Sequence, residues 1–209
     1  MLATDGCQTD ARHIAFPSAD RELVEILLHC LHKENKVAEI RSRTGAVMYR
    51  TQIGDVALNR WLTTIGITPR KSLTISEVDV PDELFMPFAR GLLDGDGSVM
   101  NKLARADTRR RQDYYWECLQ TRFVSASRPH LVWLRGKLEE MLGVDGLIIR
   151  RKARGRRHDC YTLRYSKLDS HRLLPALYAD RTVPRLTRKW LVWAAYIQRH
   201  GLDVTRPPS

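Results

Sequence analysis

The chain has 209 residues, 43% of them hydrophobic, which suits one two-lobed domain or two small fused ones with an ordinary core. Thirty-five Lys and Arg against 24 Asp and Glu leave a formal charge of +11; the surplus is mostly Arg, which suits bidentate contact with phosphate and guanine, so a polyanionic partner is expected. Four dispersed cysteines with no CxxC pair argue against a zinc site or a disulfide framework and read as reduced core thiols of a cytoplasmic protein. With no segment near the ~18 apolar residues that span a bilayer, neither secretion nor membrane insertion is expected.

In chain order, an Asp-Gly pair stands first, Asp5-Gly6-Cys7, and a short strand candidate follows over residues 13–19. Leu23, Ile26, Leu27, Cys30 and Leu31 then recur at helical spacing. Strand-like stretches Val37–Arg41 and Val47–Ile53 flank a turn at Thr44-Gly45. A helix is predicted from Val56 to Ile65, with Asp55 as N-cap and Gly66 just past its end. The basic run Pro69-Arg70-Lys71-Ser72-Leu73 closes this stretch.

The same plan returns after Pro81-Asp82-Glu83. Asp96-Gly97-Ser98 matches the first Asp-Gly pair, and residues 120–126 form the matching strand candidate. A helix carries Leu131, Leu134, Leu138, Met141 and Leu142; strands follow at Leu147–Lys152 and Cys160–Tyr165 around a basic turn, then a helix from Leu168 to Tyr178 and a second basic pair, Arg188-Lys189. Two copies of one strand-helix-hairpin-helix unit are therefore expected, spanning residues 1–80 and 81–201, with a frayed tail over 202–209. Trp61, Trp133, Trp190 and Trp193 fall on apolar helix faces and read as core, while the seven histidines share no ligand spacing.

The stretch Phe85 to Ser98 carries the chemistry. As a helix it places small residues Ala89, Gly91 and Gly95 among apolar ones, an arrangement that lets two backbones approach closely, and it ends in acids. A carboxylate at a helix C-terminus faces the negative end of the macrodipole, at a cost of a few tenths to about 1 kcal/mol, and a bound divalent cation would offset it. Asp94-Gly95-Asp96-Gly97 also reads as a plain turn. A calcium loop fails, because Val99 occupies the place of the required Gly and Arg105 that of the bidentate Glu.

Ala89-Arg90-Gly91-Leu92-Leu93-Asp94-Gly95-Asp96-Gly97 resembles the nine-residue LAGLIDADG motif of homing endonucleases, and Gly66 to Ser72 is similar to that family's inter-repeat connection. Residues 1–6 supply only the last six positions of a first motif, so its opening helix is missing; a start assigned too late and a decayed gene both account for this. The resemblance implies an α+β fold of two pseudo-symmetric αββαββα-type repeats, whose curved antiparallel sheets form a DNA-binding saddle, acting as a monomeric pseudo-dimer. It implies Mg²⁺ (or Mn²⁺) held by Asp5 and Asp96 with Gly6 and Gly97 beside them, hydrolysing phosphodiesters in both strands of duplex DNA at a long pseudo-palindromic site. The location would be cytoplasmic, or organellar if so encoded.

Strand alternation proposes Arg41, Arg43, Arg50, Gln52, Gln120, Arg122, Arg150, Lys152, Arg154, Arg156, Arg157 and Arg164 as DNA-facing, with Arg70, Lys71, Arg188 and Lys189 touching phosphates. A non-cleaving nucleic-acid-binding protein on the same scaffold, such as a maturase or regulator, is the alternative. An intein module is disfavoured, since the chain lacks a splicing Cys or Ser at its start and a terminal His-Asn pair.

Overall fold

Apolar periodicity and capping chemistry account for most elements of the computed structural model, which describes residues 1–42, 44–105, 115–153 and 158–202. The first unit runs β1 (Cys7–Gln8), β2 (His13–Ser18), α1 (Arg21–Cys30), β3 (Ala38–Arg41), β4 (Val47–Gly54) and α2 (Val56–Thr64). The second runs α3 (Asp82–Asp96), β5 (Ser98–Arg105), β6 (Tyr115–Ser125), α4 (Arg128–Leu142), β7 (Gly146–Arg151), β8 (Cys160–Tyr165), α5 (Lys167–Tyr178) and α6 (Thr187–His200). Each unit builds a four-stranded antiparallel sheet of the same order, β1-β2-β4-β3 and β5-β6-β8-β7, so the architecture is α+β and repeated.

The caps are legible. Asp55 accepts from the Leu58 N–H at 2.9 Å to start α2, and Gly66 follows its end at φ 96°, where a Cβ would lie 2.8 Å from the Glu77 carbonyl. Ser127 caps α4, which Gly143 closes in the left-handed region. The residue pattern predicts one strand before each unit's first long helix or hairpin helix; the structure has two, because β1 and β5 begin directly after the Asp-Gly pairs and lie against β2 and β6.

Burial separates the faces. Leu119, Thr121 and Phe123 of β6 point into a core with Phe85, Leu93, Leu134, Leu163 and Trp193, while Phe16, Leu23, Val24, Leu27 and Ile53 form the core of the first unit. Trp61, expected in the core, is 55% exposed, because the short α2 buries only Asn59 and Leu62. Cys7 and Cys30, expected as core thiols, are exposed at a sheet edge and a helix end. No helix among the described residues is long and apolar enough to cross a membrane.

Four consecutive residues of the second unit tie the two halves together. Leu186 is fully buried within the first unit's core, and its N–H donates to Asp94 Oδ2 at 3.2 Å. Thr187 donates through its N–H and its hydroxyl to the Glu22 carboxylate. Arg188 forks onto Asp20 at 2.7 and 2.6 Å, and Lys189 turns inward to the end of α3. Arg188 is half exposed, so its ion pair contributes at most about 1 kcal/mol; burial of Leu186 carries the tie. Leu186→Ala is therefore expected to cost about 2–5 kcal/mol in chemical denaturation, and Arg188→Ala no more than about 1 kcal/mol. Equal losses would move the tie to the ion pair.

Candidate active site and nucleic-acid interface

α3 ends where its sequence is smallest. Gly91 and Gly95 lie one turn apart, and a Cβ on Gly91 would sit 2.9 Å from the Met1 nitrogen, while one on Gly95 would run into the Thr4 side chain. Residues 2–5 thus form a turn against the glycine face of α3, with the Thr4 N–H and hydroxyl both donating to the Met1 carbonyl at 3.0 and 2.6 Å. Gly6 and Gly97 serve the same purpose in the two units. A Cβ on Gly6 would lie 2.6 Å from the Leu2 carbonyl oxygen, and one on Gly97 would lie 2.7 Å from that of Leu93 and 2.8 Å from that of Arg122. Close approach explains both glycines; Gly97, at φ −87°, needs no left-handed conformation.

This packing brings Asp5 and Asp96 into one electrostatic neighbourhood. Burial, and then repulsion from Asp96, push the Asp5 carboxyl up from 3.8 to about 6. Asp96 keeps an exposed outer side, yet the protein crowding its inner side pushes its carboxyl up as well. Asp94, fully inside, is pushed up to about 6 by burial, against the Leu186 N–H and the nearby Lys189 and Arg90.

Two lysines answer the two motif ends. Expected on a phosphate-facing surface, Lys71 and Lys189 are instead buried. Lys189 Nζ donates to the carbonyls of Leu93 and Asp94 at 2.7 Å each and of Gly95 at 3.1 Å, and Lys71 Nζ donates to the Gly6 carbonyl. For Lys189 the physical reason is that the last turn of a helix leaves carbonyls without intrahelical partners, and a buried end must find donors for them; Lys71 does the same for a single carbonyl after a turn. Burial lowers both ammonium groups, Lys189 to about 8. Part of the helix-end cost read from the sequence is thus offset by the protein's own lysine.

Strand register sorts the remaining candidates, since residues opposite each other in an antiparallel pair share a face. Arg50, Gln52, Gln120, Arg122 and Arg164 fall on the faces turned away from the helices. Arg41 falls on the other face, in register with Val47 and two residues from Glu39, which pairs with the core-packed Tyr49, and donates to the Gly45 carbonyl at 3.2 Å. Arg150 likewise lies opposite the core-packed Tyr161 and is held by Asp159 at 2.6 Å. One residue along, Arg151 shares the open face with Leu147 and Ile149, as does Lys102 across from Cys118. A one-residue slip in reading β7 hid Arg151, whereas Lys102 lies on β5, a strand the residue pattern omits. Arg188 is committed to Asp20; Arg70 and Lys152 are exposed outside the strands. Arg43, Arg154, Arg156, Arg157 and the tail beyond Leu202 lie outside the described residues.

Among the described residues no three His, Cys, Asp or Glu side chains cluster as a ligand set. The candidate donors are the two carboxylates, whose raised pKa values a divalent cation would relieve; an oxygen-only set of this kind fits a hard ion. Of the flanking carbonyls, that of Gly6 is engaged by Lys71.

No family model and no curated protein matches the chain. Solved structures do. Full-length DUF199/WhiA from Thermatoga maritima is similar over 95% of this chain at 16% identity and a TM-score of 0.53, the chain spanning 57% of that protein, and the WhiA N-terminal domain is itself a LAGLIDADG domain. I-DmoI in complex with DNA and Ca matches over 87% of this chain and 83% of its own, at 14% identity and a TM-score of 0.55. The meganuclease I-SmaMI, bound to uncleaveable DNA, matches over 98% and 90%, at 12% identity and 0.55.

The chain has the two-repeat LAGLIDADG fold. Within the chain's own repeat, Asp5-Gly6 and Asp96-Gly97 each stand directly before the first strand of a sheet, and Lys71 and Lys189 each reach back to the carbonyls beside them.

With Asp5 and Asp94 at about 6 in the native state against 3.8, the folded protein binds more protons than the unfolded chain across that window. Stability of the metal-free protein is therefore expected to fall as pH rises from about 4 to 6. Asp5→Asn should flatten part of that fall in denaturant titrations across the window. An unchanged slope would remove Asp5 from the buried acid set.

Proposed function

We propose that this chain is a site-specific endonuclease that binds duplex DNA as a monomer with two pseudo-equivalent halves and hydrolyses phosphodiester bonds with Mg²⁺ or Mn²⁺. The observation that carries the reading is that two equivalent acids, Asp5 and Asp96, share one electrostatic neighbourhood and each leads into a sheet, the open faces of the two sheets bearing Arg50, Gln52, Arg122, Arg151 and Arg164. Support comes from the formal charge of +11 and from the DNA bound by the I-DmoI and I-SmaMI neighbours.

Asp5 and Asp96 would hold the cation. The chemistry a divalent ion supplies at such a pair is activation of the attacking water and neutralisation of charge on the leaving 3′ oxygen. Lys71 and Lys189, through the carbonyls they bind, fix the ends of the two motifs and so aim the carboxylates. Their charge also weakens the repulsion that two acids present to an incoming phosphate. The open-face side chains meet base edges in the major groove, and Arg70 and Lys152 supply phosphate contacts. A second reading, a non-cleaving DNA-binding protein, is favoured by one observation: Asp5 ends a turn where Asp96 ends a helix.

Selection from a randomised duplex pool with Mg²⁺ decides between them. Wild-type chain is expected to cut an enriched duplex, and Asp96→Asn to bind that duplex within a few-fold while cutting none. Enrichment by binding without cutting would establish the second reading, and loss of both functions in Asp96→Asn would withdraw the cation-holding role. Binding is expected to weaken steeply with salt, with a slope of several counterions from phosphate contacts; a flat response would exclude the footprint.

A further inference from the structure

The two units differ where they come nearest the acids. Two residues after each acid, a row of side chains crosses the open face of each sheet. In the first unit it reads Cys7, Ala15, Gln52; in the second it reads Ser98, Arg122, Arg164, Leu147. Position for position, Ala15 stands where Arg122 does and Gln52 where Arg164 does.

Arg122 and Arg164 lie directly opposite each other on β6 and β8, both half-buried, and among the described residues neither has an acidic partner. Like charges directly opposite weaken a sheet, so acceptors arriving from outside would relieve the pair. Arg122 is also oriented: its Nε and Nη2 donate to Gln120 Oε1 at 3.2 and 2.6 Å. That contact occupies one edge of the guanidinium and leaves the Nη1–Nη2 edge, a two-donor fork, for a ligand with two adjacent acceptors. Gln120, with its oxygen committed, positions Arg122 instead of reading adenine.

We propose that Arg122 and Arg164 read guanine N7 and O6 in the half of the target held by the second unit, next to the cleavage centre. The equivalent row of the first unit has Gln52 alone, which pairs with adenine, so the target departs from palindromy at its inner positions. The proposal rests on the DNA-binding reading above. Two oxygens of a backbone phosphate would satisfy the same fork, and sequence dependence separates the two sources.

The test is binding selection on a randomised duplex pool with the full Asp96→Asn chain, alone and with Arg122→Ala, Arg164→Ala, Gln120→Ala or Gln52→Ala added. Guanine is expected at one or two inner positions on one side only, and each arginine-to-alanine variant should erase one of them and lose about 5- to 100-fold in affinity for the selected duplex. Gln120→Ala, which leaves both arginines in place, should blur the Arg122 position alone, and Gln52→Ala should relax adenine on the other side. Uniform weakening with the guanines retained would overturn the proposal in favour of phosphate contacts, and guanine on both sides would overturn the asymmetry. If the parent chain binds no duplex, the DNA-binding reading fails as well, a result distinct from binding without guanine preference.

Discussion

Two aspartates at the ends of neighbouring chain segments cannot share a crowded location unless hydrogen-bond donors and positive charge are brought to the same place. The molecule meets this constraint with lysines that arrive from the far end of each repeat. Lys189 comes from the first turn of α6 and spreads its ammonium over three carbonyls of the last turn of α3. Lys71 reaches the Gly6 carbonyl from a single turn of 3₁₀ helix. The two solutions share their chemistry but differ in support, since a fourteen-residue helix backs one and a three-residue turn the other.

That difference gives α6 a larger part in the assembly. Its N-terminal segment inserts Leu186 into the first unit's core and engages α1 through Glu22 and Asp20, while Lys189, in the same turn, holds the end of α3. The element that aligns Asp96 is thereby fastened to the unit that carries Asp5. A shift of one unit against the other has to strip Leu186 from its site, break the Glu22 and Asp20 contacts and part Thr4 from Gly95, and a packed interface of this kind resists small displacements.

Much of this was open to sequence reasoning, for identifiable reasons. Repeated Asp-Gly pairs and helical spacing exposed the duplication, and Asp55 and Gly66 marked both ends of α2 because caps are local chemistry. The acids stood out because carboxylates at a helix end need compensation. What compensates them did not, because Lys71 and Lys189 look like any surface basic pair until the fold buries them; their equivalence within the repeat was the available signal. Sheet faces failed where register had to be guessed: Arg150 and Arg151 exchange roles on a slip of one residue, and no local pattern fixed that slip. Arg188 was misread for another reason, since its acidic partner Asp20 is 168 residues away in sequence.

Charge in the molecule is divided between two tasks. Around the motif ends, Asp5, Asp94 and Asp96 stand near Lys71, Lys189, Arg90 and the Met1 amino group, so charge of the two signs is close to balance there. The net charge of +11 therefore belongs to the rest of the protein, where long-range attraction of a polyanion needs little geometric precision. Such a centre gives a phosphate little net attraction, and the raised carboxyls of Asp5 and Asp94 mean that its ionised form is held at a cost. On the proposed reading, a divalent cation held by Asp5 and Asp96 would tip that balance by two positive charges, so that attraction of the backbone and chemistry upon it could be tuned separately. The repeated backbone preserves the centre in both halves, because glycines and lysines there are dictated by close approach and orphaned carbonyls. The open faces carry no such constraint, which is why Ala15 and Gln52 can stand in one half where Arg122 and Arg164 stand in the other.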